Sequence, residues 1–131
     1  MKVVVVGLLL AVPFTVGCGF DACFIISVNV SPQIVTLDHM AVPPGNSQIF
    51  LAFQSGASRG CRFTAVALQD AVWSVSDPVN VSISNSHDQN NANFGRATCL
   101  NATLSPVTVT ATVPSGNGNS TVSTTATLMC K

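Results

Sequence analysis

From residue 26 onward, apolar and polar residues alternate in short runs, and each run ends on proline, glycine or asparagine. Ile26, Val28 and Val30 alternate with Ser27, Asn29 and Ser31, and Pro32 closes the run. A period of two puts one face of a strand inward. A short apolar piece over 34–37 follows, and Pro43-Pro44-Gly45-Asn46 is a turn signal. Residues 48–53 (QIFLAF) are almost continuously apolar, which predicts a central strand. Residues 55–60 read as a loop, and 63–68 as either an extra strand or a packed loop. Trp73 and Val75 share one face, away from Ser74 and Ser76, and Asp77-Pro78 starts a turn. Val79, Val81 and Ile83 alternate with Asn80, Ser82 and Ser84. Residues 85–93 (NSHDQNNAN) are polar and predict an exposed loop.

The strongest local signal lies at the end. Val107, Val109, Ala111 and Val113 alternate with Thr108, Thr110 and Thr112, and alternation resumes from Thr121 to Met129. The Gly/Asn-rich stretch between them predicts a β-hairpin, with Asn117-Gly118 supplying the positive φ angles. The strands expected are 25–31, 47–54, 72–76, 79–84, 95–100, 107–113 and 121–130. Strands at this spacing, with no helical period and no internal repeat, predict an all-β, immunoglobulin-like antiparallel β-sandwich of about seven strands. Trp73 is expected to anchor its core, with Val75, Val81, Ile83, Val107, Val109, Ala111, Ala126 and Leu128 around it.

The first residues do not fit that pattern. Lys2 precedes an apolar run over 3–16, shorter than the roughly 20 residues that span a bilayer. This is the shape of a secretory signal. The run ends on Thr15-Val16-Gly17-Cys18, which resembles the lipobox of bacterial lipoproteins, although Thr15 stands where leucine is usual. That resemblance implies a signal peptide over 1–17, a lipidated Cys18 with a short tether over 18–24, and a domain over 25–131. Gly19 follows in place of the aspartate that marks inner-membrane retention, so the resemblance implies the outer membrane or cell surface. Five cysteines leave one over in an exported chain. With Cys18 carrying lipid, Cys23, Cys61, Cys99 and Cys130 form an even set for disulfides in an oxidising compartment. Their spacings of 38, 38 and 31 residues include no C-x-x-C pair, which argues against a compact zinc site.

Composition removes further classes. The formal net charge is zero and 8 % of residues are charged, with no glutamate or tyrosine. No basic stripe offers nucleic acid a footprint. His87-Asp88 are two neighbours in a loop and His39 stands apart, so no metal site is expected. Asp70, Asp77 and Asp88 do not form a calcium-binding run. No Gly-x-Ser-x-Gly elbow occurs, and five aspartates supply every carboxylate available for paired acid–base work. The chain is therefore expected not to be an enzyme and to need no cofactor. Asn29, Asn80, Asn101 and Asn119 each begin an N-x-Ser/Thr sequon, which a Thr/Ser/Asn-rich composition produces incidentally.

The order of SVNVSPQIVTLDHMAVPPGNSQIFLAF, VWSVSDPVNVSISN, GRATCLNATLSPVTVTATVPSGNG and TVSTTATLMC resembles group 2 bacterial Ig-like domains, over residues 26–130. The Trp73-Ser74-Val75-Ser76-Asp77-Pro78 block is its most specific piece. The likeness is nearest to single-domain, cysteine-bearing acidobacterial envelope lipoproteins. The segment near Cys61 and the loop at 85–93 depart from the family pattern. In such a sandwich the start of the first strand shares a pole with Cys61, and the end of the 95–100 strand shares the other with Cys130. That topology implies Cys23–Cys61 and Cys99–Cys130, with Cys23 left free in the tether as the alternative. The family implies an adhesion, interaction or spacer role at the cell surface, through a membrane-held lipid and toward an envelope protein or surface polysaccharide. The alternatives are a subunit of a surface assembly using strand exchange through Phe24-Ile25-Ile26, or a small exported hydrolase or inhibitor. Any binding is expected on loops such as 55–62, 85–94 and 114–120.

Overall fold

A computed structural model describes residues 23–57, 61, 66–88, 90, 92–116 and 119–131. Nine strands and no helix occur among them: β1 (Ile25–Ser31), β2 (Ile34–Leu37), β3 (Ser47–Ile49), β4 (Leu51–Ala57), β5 (Val72–Val75), β6 (Val81–Ile83), β7 (Arg96–Cys99), β8 (Val107–Pro114) and β9 (Thr121–Cys130). They form two layers. In one, β1 pairs with β4, and β3 pairs with β7, which pairs with β6. In the other the order is β2-β9-β8-β5. β3 and β4 are one extended run on either side of Phe50, whose N–H donates to the Gly95 carbonyl at 2.9 Å. This arrangement is the immunoglobulin-like all-β sandwich.

The strand count exceeds the expected seven for two local reasons. The central strand changes partner at Phe50 and so divides into β3 and β4. The short 34–37 piece becomes β2, which crosses to the second layer after Ser31 and lies parallel to β9, from Ile34 beside Thr127 to Leu37 beside Cys130. The sheet is therefore mixed at that edge, because β2 continues in the direction of β1 and meets a strand that already runs that way.

Alternation builds the core. On β8, Val107, Val109, Ala111 and Val113 are all buried, while Thr108 is exposed and Thr110 and Thr112 half-exposed. Their outer-face partners across β9 are Thr127, Thr125 and Ser123, and the Thr112 and Ser123 hydroxyls are hydrogen-bonded at 3.0 Å. Each fully buried valine or leucine contributes roughly 1.5–3 kcal/mol. Trp73, Val81, Ala126 and Leu128 are buried in the same cluster, and Val75 and Ile83 pack against it half-buried.

One alternation fails. Ile26 is 61 % exposed although Val28 and Val30 point inward. The β1–β4 register shifts between Ile25, Ser27 and Val28. This bulge adds a residue to one strand and flips the face of everything before it. Ile25, not Ile26, packs against the core. Of the ambiguous segment around 63–68, residues 66–68 are described, and there Ala67 bridges Phe53 and the Leu68 N–H donates to the Ala52 carbonyl at 2.8 Å.

Candidate functional site

The sandwich has two poles, and the strands assign the sequence's chemical residues to them. At the N-terminal pole the Ile25 N–H donates to the Ser115 carbonyl at 2.9 Å, tying the start of β1 to the β8–β9 loop. Cys23 is bonded to Cys61, with Cα atoms 5.7 Å apart. Cys23 is exposed and Cys61 half-buried. Gly116 takes φ +86° in the β8–β9 loop; Asn117-Gly118, expected to supply that conformation, lie outside the described residues. An open depression of about 640 Å³ is lined by Pro114, Gly116, Asn119, Ser120 and Thr121. Cys18, the residue expected to carry lipid, and the whole segment 1–22 also lie outside the described residues.

The C-terminal pole is made of the β2–β3 loop, the β5–β6 turn, the β7–β8 loop and Lys131. Cys99 and Cys130 are bonded here, each 1 % exposed. The Thr103 N–H donates to the Cys130 carbonyl at 2.9 Å, and the Cys99 N–H to the Asn46 carbonyl at 3.0 Å. The N–H groups of Leu100 and Asn101 both donate to the Asn80 carbonyl. His39 donates its N–H to the Lys131 carbonyl, and its Nδ1 contacts the same oxygen. In the β5–β6 turn the Asp77 carboxylate accepts from the Asn80 side-chain amide at 2.8 Å and the Asn80 N–H at 3.2 Å. Those bonds, the side-chain amide first, hold the Asp77 carboxyl below its ordinary 3.8.

Between the poles lies an aromatic group. Trp73 is 3 % exposed and packs against Phe50 and Phe94, with ring centroids 6.5 Å away in each case. His87 stacks on Phe94 at 4.3 Å. The Trp73 indole N–H has no hydrogen-bond partner among the described residues. The Asn85 side chain grips the backbone of Trp73, accepting its N–H at 2.7 Å and donating to its carbonyl at 3.0 Å. This occupies the free edge of β5 with a side-chain amide in place of another strand, one way of blunting a sheet edge. Gly95 has φ +71°, and a Cβ there would collide with the Phe50 carbonyl oxygen and press on the indole.

The alternation placed Trp73 and its aliphatic neighbours together and missed its aromatic ones. Phe50 stood in an unbroken apolar run, where period two carries no information. Phe94 followed a polar stretch and was read with the loop, while Gly95 was read as the start of the 95–100 strand, which begins at Arg96. That loop is exposed, yet it is tightly bonded within itself. Asp88 accepts from the Ala92 N–H and the Asn93 side-chain amide, both at 2.7 Å, and Arg96 donates to the Ala92 carbonyl at 2.9 Å. The signal was present in the density of Asx residues, which fold loops back on their own backbone.

His39 and Asp77 thus sit at the C-terminal pole, His87 and Asp88 in the β6–β7 loop, and Asp70 in an exposed turn before β5. Among the described residues, no three histidine, cysteine or aspartate side chains converge as a metal site. The class defined here is an immunoglobulin-like β-sandwich braced by two disulfides. The chain matches no model of a known protein family, and no curated protein is similar to it.

Proposed function

We propose that the chain is a non-catalytic interaction or spacer module, exported and held to the bacterial envelope by lipid on Cys18. The carrying observation is the position of Cys23. It follows Cys18 by five residues, lies exposed where the chain joins the sandwich, and is fastened to Cys61. A five-residue tether reaches at most about 18 Å. The ten residues of β9 rise roughly 34 Å from one pole toward the other. A domain held this way keeps its N-terminal pole near the membrane and carries its C-terminal pole outward, toward an envelope protein or a surface polysaccharide. The likeness to group 2 bacterial Ig-like lipoproteins supports the same reading. The groups best suited to acid–base chemistry have structural engagements instead: His39 with the Lys131 carbonyl, His87 against Phe94, Asp77 with Asn80. Strand exchange through Phe24-Ile25-Ile26 draws no support, since Ile25 is already paired with Ala57 of β4.

The test is acylation. Cys18→Ser should move the protein from the membrane fraction to the soluble one, and the intact mass of the wild type should exceed that of the chain cleaved after Gly17 by the mass of its acyl chains. A soluble wild type with an unmodified Cys18 overturns the anchor.

A further inference from the structure

The two disulfides differ in what a reagent meets on the way in. Cys99 and Cys130 are each 1 % exposed and belong to the core cluster. Cys23 is exposed and Cys61 half-buried. Thiol–disulfide exchange requires a thiolate to reach one sulfur, so access selects which bond reacts and which of its sulfurs is struck. At Cys99–Cys130 the core stands in the way. At Cys23–Cys61 the more open partner is Cys23. The β8–β9 loop leaves space beside it. A Cβ on Gly116 would stand 3.3 Å from the Cys23 carbonyl oxygen and 3.8 Å from the Phe24 ring, and glycine puts nothing there. Gly116 also lines the open depression of about 640 Å³, with Pro114, Asn119, Ser120 and Thr121. A small molecule has room to stand next to Cys23.

The first strand does not depend on this bond for its place. Ile25 pairs with Ala57, packs against the core and donates its N–H to the Ser115 carbonyl at 2.9 Å. Further along β1, Val28 and Val30 are buried. Neither Cys23 nor Cys61 belongs to the core cluster, so opening their bond leaves no cavity in it. What is lost is a cross-link that restrains the unfolded chain. The sandwich with this bond open keeps its core and the Cys99–Cys130 bond. The Ile25–Ala57 pairing also keeps the separated cysteines close, since Cys23 precedes Ile25 and Cys61 follows Ala57 by only a few residues. Re-closure is then a reaction within one chain, at the high effective concentration that such tethering gives.

We propose that Cys23 is a thiol-exchange site for low-molecular-weight thiols, with Cys61 as its resolving partner. A thiolate RS⁻ attacks the Cys23 sulfur. An R–S–S–Cys23 bond forms as the Cys23–Cys61 bond breaks, and the electron pair leaves on Cys61 as its thiolate. The step runs backward when the Cys61 thiolate attacks the Cys23 sulfur and expels RS⁻, so the bond is restored without an oxidant. In excess thiol, a second RS⁻ attacks the outer sulfur of the mixed disulfide, releases RSSR and leaves Cys23 as a thiolate. The two thiols supply the electrons, and the protons they lose end on Cys23 and Cys61. The outcome is a latch at the point where the chain enters the sandwich, worked by thiol and not by unfolding. It stands apart from the anchor proposed at Cys18.

The experiment uses the full oxidised chain carrying Cys18→Ser, so that no unpaired cysteine competes. It is exposed briefly to 2-mercaptoethanol under native conditions, stopped with N-ethylmaleimide and mapped by peptide mass. Mercaptoethanol is expected on Cys23 and maleimide on Cys61. The Cys99–Cys130 bond should stay closed, or open at least about tenfold more slowly, since reaching it requires the core to open. Diluting the thiol before the stop should return the mixed disulfide to the closed bond, and Trp73 emission should hold its oxidised value throughout. Mercaptoethanol on Cys61 in equal or greater amount overturns the assignment of Cys23. A mixed disulfide that persists after dilution overturns Cys61 as the resolving partner. Both bonds opening at one rate, or opening only with a shift of Trp73 emission, would mean that thiol acts on the unfolded chain, and overturns the site. A Cys23→Ser/Cys61→Ser chain with native Trp73 emission supports the latch, and an unfolded one overturns it.

Discussion

At the N-terminal pole the disulfide lies at the surface, with Cys23 exposed and Cys61 half-buried, whereas at the C-terminal pole Cys99 and Cys130 are each 1 % exposed. The two bonds span similar lengths of chain, 38 and 31 residues. Chain entropy alone would make them nearly equal, about 4 kcal/mol each. Their surroundings differ. The buried pair belongs to the core cluster and supports a ring of loop hydrogen bonds. The exposed pair joins the incoming chain to a loop. One pole is therefore continuous with the core, and the other is clasped to it from outside.

The largest expected effect breaks that contrast directly. Replacing Cys99 and Cys130 by alanine should cost on the order of 5 kcal/mol, because cavities in the core add to the lost cross-link. The Cys23→Ala/Cys61→Ala pair should cost less in the same denaturant titration. Under native conditions a small thiol should reduce Cys23–Cys61 first, read by mass after alkylation, since attack needs access to sulfur. Equal losses, or simultaneous reduction, would erase the difference between the poles.

Trp73→Ala should cost about 4 kcal/mol by leaving a hole among Phe50, Phe94 and Ala111. Trp73→Phe should cost less, because it also removes a buried indole N–H that has no partner among the described residues. Wild-type Trp73 emission should resist a water-soluble quencher.

Gly95→Ala should cost about 2 kcal/mol from positive φ and the collision with Phe50. Chemical denaturation measures it, and Gly45→Ala, at a glycine with no positive φ in the C-terminal pole, should cost less.

The smallest effect is in acid. The carboxyl of Asp77 titrates below 3.8 in the folded chain, so its stabilisation is complete above that value and fades as pH falls through the lowered one. Asp77→Asn should flatten the acid limb of a stability–pH curve slightly. A larger change would mean that the turn supports more of the C-terminal pole than its own bonds suggest.

The hairpin of β8 and β9 was legible in the sequence nearly to the residue, because an uninterrupted period of two with a Gly/Asn loop leaves a chain few other ways to fold. The burial of Trp73 was legible for the same reason. The outward turn of Ile26 was not. A bulge is set by how β1 registers against β4, and that register depends on Gln54 and Gly56, residues far along the chain.

The same division holds for the poles. The alternating strands, the even cysteine set and the candidate anchor are properties of the sequence, since local patterning and counting suffice to read them. The aromatic group around Trp73 and the aliphatic C-terminal pole exist only in three dimensions. Met40, Val79 and Leu104, exposed on the loops of that pole, are scattered single residues along the chain, and Phe94 hides behind a polar loop. Their placement follows from strand order and from backbone hydrogen bonds between segments far apart in the chain, such as His39 with Lys131. Non-local pairing of that kind is decided by the packing of the whole sandwich, which no window of sequence contains.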